Sequence, residues 1–545
     1  MTKPIVMSPT SSGKSDHVIN GAPFEWNSRS VMAGLVETGR VHDALLSHLK
    51  LLLDDFHGVE RSIEYYDLVA GDWLHLYSQN VYTAWRELMA GAEIIESTII
   101  PVVLSADHAV SLSIDLPFHQ HLRWAVAELL QSHSSEKWRV IDESISVESG
   151  SKAFYLSSLK RLISTGKPKV LLTSPNSRVS RQEWLSALWR WRSWVAEDSM
   201  QYPITLHTRQ DWSWRRSQSA AARPINDEFA GVAIALMPLY LPVTLLEGFA
   251  SYRKAVFSLS LPRPDAVYSA NSLHGNLTWK ILAAEWRQEG TLLLYHQHGG
   301  GYGLLSMLAV ENYEKRVSNH FYSWGWLHEG DNIKLLSPAM PKIKSDSQNV
   351  SILLICVDYP KVPYRLQTYS TFKAVEHMHQ QTSEFLVHLN HRKDIVVRPY
   401  PYDYGWRAEE RMRNAAPYAM FDSQSNSFSL FFQSSLVVHN YLGTGWLETL
   451  GLNIPTICFY DPDAYLFREA AQVHIDSLKD VGILHHSGHD AARFITALGN
   501  DIDGWWNKSG VQEAREKFVE HYANFSPDWK QQWEREFEEV LDSVK

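Results

Sequence analysis

Two successive series of short segments with apolar centres constrain this chain more than any other feature. The first comprises KVLLTSP (169–175), AVFSLSLP (255–262), DAVYSAN (265–271) and TLLLYHQHGGGYG (291–303). An amphipathic stretch, LTWKILAAEWRQEG (277–290), precedes the last of these and is closed by Gly290. The second series is NVSILLICVDYP (349–360), KDIVVRPYP (393–401), SLVVHNY (435–441) and IPTICFYDP (454–462). Strands apolar on both faces belong to parallel sheets covered by helices, and the strand–helix–strand order requires right-handed crossovers. A polar connector near Leu336 to Asn349 separates the two series. The reading is an α/β chain of two Rossmann-like domains facing a cleft, with a largely helical N-terminal region. A Ser-, Thr- and Pro-rich lead-in spans 1–20, the first domain 21–340 and the second 345–525, and a charged amphipathic helix at 526–545 crosses back to the first.

From Val31 to Leu130 apolar residues recur at helical spacing, as in VHDALLSHLKLLLDDF and YTAWRELMAGAEIIESTII. The stretch Phe229 to Ala250 is apolar, but Pro238, Pro242 and Glu247 interrupt it, so it reads as a buried strand and helix rather than a membrane span. The N-terminus has no apolar signal-like core. Together these predict a cytoplasmic protein, with peripheral contact to the inner face of the inner membrane through its Trp- and Arg-rich surface, such as WRWRSW (189–194). A net charge of −10 argues against nucleic acid as a partner, and the one short basic run, WSWRR (212–216), reads as a solvated helix edge or loop. Cys356 and Cys458 each lie inside an apolar run and read as buried thiols.

Ligands of open parallel sheets bind at the carboxyl ends of strands, so the residues there carry the functional reading. After TLLLY comes His296-Gln297-His298-Gly299-Gly300-Gly301-Tyr302-Gly303. Consecutive glycines let backbone N–H groups approach an anion. His296 and His298 alternate along the strand end and are read on one face. A zinc pair, structural histidines, and a proton-transferring or phosphate-contacting pair are the three readings. The zinc reading lacks further ligands at tight spacing, so no metal is predicted. After KDIVV comes Arg398-Pro399-Tyr400-Pro401, where a forked guanidinium at a strand end suits a phosphate or carboxylate, or a salt bridge to Asp403. After SLVVH comes Asn440-Tyr441-Leu442-Gly443-Thr444-Gly445, running into a helix expected near Trp446. Helix N-termini bind anions through unpaired N–H groups. Glu448, placed on the first turn, reads as a ribose or base contact or as an acid favoured by the helix dipole. The Trp residues of FYSWGW (321–326) either pack at the domain junction or wall the cleft. Asp461-Pro462-Asp463 reads as a turn rather than a metal motif.

The set HQHGGGYG, FYSWGW, VRPYPYDYGW and VHNYLGTGWLETLGLNIPTI resembles a family of transferases encoded in O-antigen and capsule gene clusters, over about Lys169 to Phe467. That family is similar to the retaining β-Kdo transferases of capsule assembly and, more distantly, to bacterial sialyltransferases and glycerophosphate transferases. The resemblance implies a GT-B-like fold and a glycosyltransferase of lipopolysaccharide or capsule synthesis. It would use a CMP-activated ulosonic acid such as Kdo, and no cofactor. It implies donor contacts from Arg398, Tyr400, Asn440, Gly443, Thr444, Gly445, Glu448 and Thr449. The catalytic pair would be His298 with His296, on a loop of Gln297, Gly299, Gly300, Gly301 and Tyr302 that meets a glycan or lipid-linked acceptor. Where the β-Kdo enzymes have Glu-Asp-Gly, this chain has Gln297-His298-Gly299, and where they have His-Pro it has Arg398-Pro399. A CDP-linked polyol-phosphate donor and a non-catalytic nucleotide- or glycan-binding scaffold are the alternatives. An ulosonic donor also calls for a cation such as Arg365 to hold the sugar carboxylate.

Overall fold

A computed structural model of the chain describes residues 26–90, isolated positions and the strand Ile145–Glu148 between 91 and 168, and 169–543 apart from internal segments, the longest being 180–193 and 341–349. The lead-in, the helical run beyond residue 90, most of 189–194, the connector beyond Met340 and Arg365 lie outside the described residues.

Two six-stranded sheets, each wholly parallel, organise the rest. The first runs, edge to edge, through Trp194–Glu197, Val170–Thr173, Ala266–Ser269, Leu292–His296, His320–Ser323 and Ile333–Leu335. The second runs through Met420–Phe421, Ile395–Arg398, Val350–Ile355, Ser434–His439, Thr456–Phe459 and Leu484–His485. Numbered along the chain, the second sheet has the doubly wound order 3-2-1-4-5-6 and the first 2-1-3-4-5-6. The central strands are buried along nearly their whole length, as their apolar runs require. Reversal of strand order opens a crevice between Val350–Ile355 and Ser434–His439 in one sheet, and between Val170–Thr173 and Ala266–Ser269 in the other.

The helical region before the first sheet begins with two long helices, Ser28–His57 and Ile63–Met89. Asn27 and Ser30 form a reciprocal cap at the start, and Gly58 ends the first helix at φ 63°, a conformation glycine takes without strain. The second helix leans on Leu277–Gln288, where Lys280 pairs with Asp72 and the Tyr65 hydroxyl donates to Glu285 at 2.8 Å. It also reaches the second half of the chain, since the Leu366 N–H donates to Gln79 at 2.9 Å.

The final helix, Trp529–Ser543, lies on the first sheet. Its buried face is Trp529, Trp533, Phe537 and Val540, a helical stripe, and Trp533 Nε1 donates to the Ser337 carbonyl at 2.8 Å. Tyr322 and Lys334 both bond Glu536 of this helix.

Two expectations are corrected here, and a third, the solvated helix edge, departs at one residue. Residues 255–258 end the helix Phe249–Ser258 instead of starting a strand, because Phe249, Tyr252 and Val256 continue a helical stripe into the core. Residues 229–240 form a helix around Pro238 with no strand. The basic run WSWRR belongs to the helix Trp212–Ala221, and its Arg215 is fully buried, paired with Glu247 through two 2.7 Å bonds and donating to the Pro238 and Leu241 carbonyls. No helix among the described residues is long and apolar enough to cross a membrane.

Candidate functional site

The carboxyl edges of the two sheets meet. The Gly300 N–H donates to Thr444 Oγ1 at 3.1 Å, joining the loop after Leu292–His296 to the start of the helix Thr444–Gly451. A side chain at Gly300 would stand 2.7 Å from the Gly443 carbonyl carbon, and one at Gly299 would stand 3.0 Å from Thr444 Oγ1. A second seam lies beside it. Leu305 bridges Phe467, the Ser306 N–H donates to the Leu466 carbonyl, and Arg468 donates to Glu311 at 2.8 Å. Glu311 is fully buried and its other oxygen accepts from the Gly303 N–H at 2.8 Å, so the second half of the chain helps hold the glycine loop in shape.

Gly443, Thr444 and Gly445 sit at the strand-order reversal of the second sheet. The helix has no side-chain cap, and it begins at Thr444, two residues before the expected start. Glu448 therefore lies in the second turn, buried, not on the first turn. Gly443 is required because a side chain there would enter the Tyr441 ring. Ile355 aligns with Arg398 on one side and His439 on the other, which puts Arg398 about 10 Å across the sheet from His439. Its guanidinium donates to the Asp422 carbonyl at 3.2 Å, and Asp403 instead caps the turn at Gly405 and Arg407. Tyr400 stacks with Tyr404 beside it.

Besides Arg398 and Thr444, two more of the expected donor contacts have their side chains engaged in the protein. Asn440 accepts from the Val357 N–H at 3.0 Å and donates to Thr382, tying the two strands that flank the crevice. Thr449 donates to the Trp446 carbonyl and so accepts from His439 Nε2 at 3.2 Å. Burial pushes His439 down to about 3, keeping it neutral.

His296 and His298 part company. His296 is fully buried under Trp533, with Nε2 donating to the Leu336 carbonyl at 2.9 Å and Nδ1 bonded to the Tyr268 hydroxyl. Burial pushes it down to about 3. The expected shared face is absent because His296 is the last strand residue and the chain turns immediately after it. The zinc pairing of these two histidines is likewise not formed. Gln297 shapes that turn, accepting from the Trp324 N–H and Trp326 Nε1 while donating to the Gly299 carbonyl at 2.9 Å. Both Trp residues of FYSWGW are buried, and Trp326 packs where a side chain on Gly303 would stand.

His298 lies on the other side, its side chain 24% exposed, beside Tyr302 of its own loop and two residues the sequence did not single out, His274 and Glu314. Its Nδ1 is 3.0 Å from the Tyr302 hydroxyl, which donates to Glu314 at 2.8 Å. The other Glu314 oxygen is 2.6 Å from His274 Nε2. Glu314 comes from the helix Ala309–Val317, and His274 follows the strand Ala266–Ser269 at the first sheet's own order reversal. That topological place was the only signal for His274, and it required the sheet order. Ligand atoms of His274, His298 and Glu314 lie within 4.8 Å of one another, and the second Glu314 oxygen accepts from Tyr302. Asp461 closes a turn onto the Asp463 N–H.

Fold and site thus define a two-sheet α/β protein whose glycine-rich loop and uncapped helix start converge between the sheets. Residues 16–537 match the model of the LIC12162 family transferases, and the chain belongs to that family. No curated protein matches it. Solved structures overlap it loosely. MurG of Acinetobacter baumannii has 10% identity over 70% of this chain and 99% of its own, with a TM-score of 0.33. MnaA of S. aureus, solved with UDP, has 8% identity over 69% and 98%, with a TM-score of 0.35. A protein described as a UDP-N-acetylglucosamine 2-epimerase, from Listeria monocytogenes, has 10% identity over 69% and 98%, with a TM-score of 0.38.

Proposed function

We propose that this family member is a glycosyltransferase of bacterial surface-polysaccharide synthesis that moves Kdo or a related ulosonic acid from a CMP-activated donor to a glycan acceptor. The observation that carries the reading is the contact of Gly300 with Thr444, which brings the His298 loop against the helix start at the strand-order reversal. Helix N–H groups at Gly443–Gly445 and the Arg398 guanidinium offer stabilisation to a leaving phosphate as charge develops. His298 receives the proton of the attacking acceptor hydroxyl, since a neutral imidazole is matched to that task near neutral pH. Asn440 and Thr449 act through the backbone they hold, and His296 serves the fold.

A second reading, transfer of a polyol phosphate from a CDP-linked donor, is favoured by one observation. The loop offers an imidazole where a covalent sugar intermediate would call for a carboxylate, and direct attack on phosphorus needs only a base. Release of CMP from CMP-Kdo in the presence of a lipid-linked acceptor, lost in His298→Ala, is the expected result. Turnover of a CDP-polyol and none of CMP-Kdo would replace the first reading with the second.

A further inference from the structure

We infer that Tyr302 and Glu314 are positioning residues that fix the His298 proton on Nδ1 and so keep the Nε2 lone pair for the acceptor. The inference rests on the reading of His298 as the acceptor-side base, but its own observable does not require turnover. A tyrosine hydroxyl has one proton, and an ionised carboxylate only accepts. The Tyr302 hydroxyl spends its proton on Glu314 at 2.8 Å, so toward His298, 3.0 Å away, its oxygen must accept. The donor in that contact is therefore His298 Nδ1–H. His274 meets the same carboxylate through Nε2, again as a donor, at 2.6 Å.

Burial gives this order its force. Glu314 has no exposed side-chain surface, and burial with the Glu314 charge beside it holds the Tyr302 phenol far above its ordinary value, so the phenol keeps its proton. When the acceptor hydroxyl gives its proton to Nε2, His298 becomes an imidazolium with both nitrogens protonated. Its new charge then faces the Glu314 carboxylate, whose nearer oxygen is 3.6 Å from Nδ1. No bond within the relay breaks. The hydrogen-bonded chain orients the ring and stabilises the charge that forms, and His274 secures that same nearer carboxylate oxygen while Tyr302 holds the other.

The relay makes an unusual demand of the near-isosteric variant Glu314→Gln. An amide nitrogen facing Tyr302 donates to it, the phenol proton turns toward His298, and Nδ1 must accept. The proton then moves to Nε2 and blocks the base. In the full chain labelled with 15N-histidine, with the His298 signals assigned by their loss in His298→Ala, the wild type should show a proton on Nδ1 and none on Nε2. Glu314→Gln should show the reverse, and Tyr302→Phe a mixture of the two. In the transfer assay Glu314→Gln should lower kcat about 100-fold or more, with KM little changed. Tyr302→Phe carries the test if Glu314→Gln does not fold. A wild-type His298 protonated on Nε2, the same tautomer in all three proteins, or one equivalent of zinc held by the purified chain and lost in Glu314→Gln would each overturn the relay. A correct tautomer series without transfer of any sugar would leave the relay standing and remove the proposed reaction.

Discussion

The Gly300 N–H donates to Thr444 Oγ1 across the two halves of the chain at 3.1 Å, and the Gly443 backbone stands where a side chain on Gly300 would go. Gly300→Ala should therefore push backbone against backbone, costing about 1–3 kcal/mol and abolishing transfer. Gly299→Ala meets only the movable Thr444 hydroxyl, at 3.0 Å, and should be milder on both counts. Denaturant melts and transfer assays on the two variants check the contrast, and equal effects would contradict the contact.

His298→Ala should lower transfer about 100- to 10,000-fold while leaving the melting temperature within a degree or two of wild type. The side chain is 24% exposed, and its ring contacts are with Tyr302 and His274. His296→Ala should do the opposite first, destabilising the fold by about 2 kcal/mol or more, because it empties a buried ring site and strips partners from Tyr268 and Leu336. Parallel melting and activity measurements separate the two histidines.

Arg468→Ala should destabilise the chain by about 2 kcal/mol or more, since it leaves the buried Glu311 carboxylate to Lys315 at 3.5 Å. It should also loosen the glycine loop, because Glu311 accepts from Gly303. Hydrogen exchange at 299–305 is the direct measure, and unchanged protection there would count against the seam.

Acid should destabilise the fold well before its carboxylates titrate. Burial is the largest cause holding His42 down to about 4, and His296 and His439 down to about 3. An unfolded chain protonates these rings near pH 6.5 while the folded one refuses, so stability is complete above that value and falls below it. Below about pH 6 the three together approach about 4 kcal/mol per pH unit, until the folded rings titrate near pH 4 and 3. Denaturant midpoints at pH 7.5 and 5.5 test this, and equal midpoints would contradict the assigned burial.

The central strands were legible because parallel strands buried on both faces leave apolar runs ending in turn residues, as in TLLLY and SLVVH. Short edge strands such as Met420–Phe421 leave no such run. The loop pair Gly299–Gly300 and Gly443–Thr444 was visible as composition, but its contact follows from how the sheets face each other. Misplacement of His296 came from extending strand alternation past the strand's last residue. Asn440 and Thr449 look like ligand contacts by residue type, yet their polar atoms are taken by Val357, Thr382, Trp446 and His439. His274 and Glu314 lie outside any motif, and only the packed structure brings them to His298.

The most direct measurement is the thermal stability of the purified chain with CMP, CDP, UDP and GDP, alongside Arg398→Ala. A ligand held only by the folded state adds stability by mass action, about 2.7 kcal/mol at a hundredfold excess over Kd. The account predicts stabilisation by CMP, weaker or absent with UDP and GDP, and lost in Arg398→Ala. No stabilisation by any of the four nucleotides would contradict it.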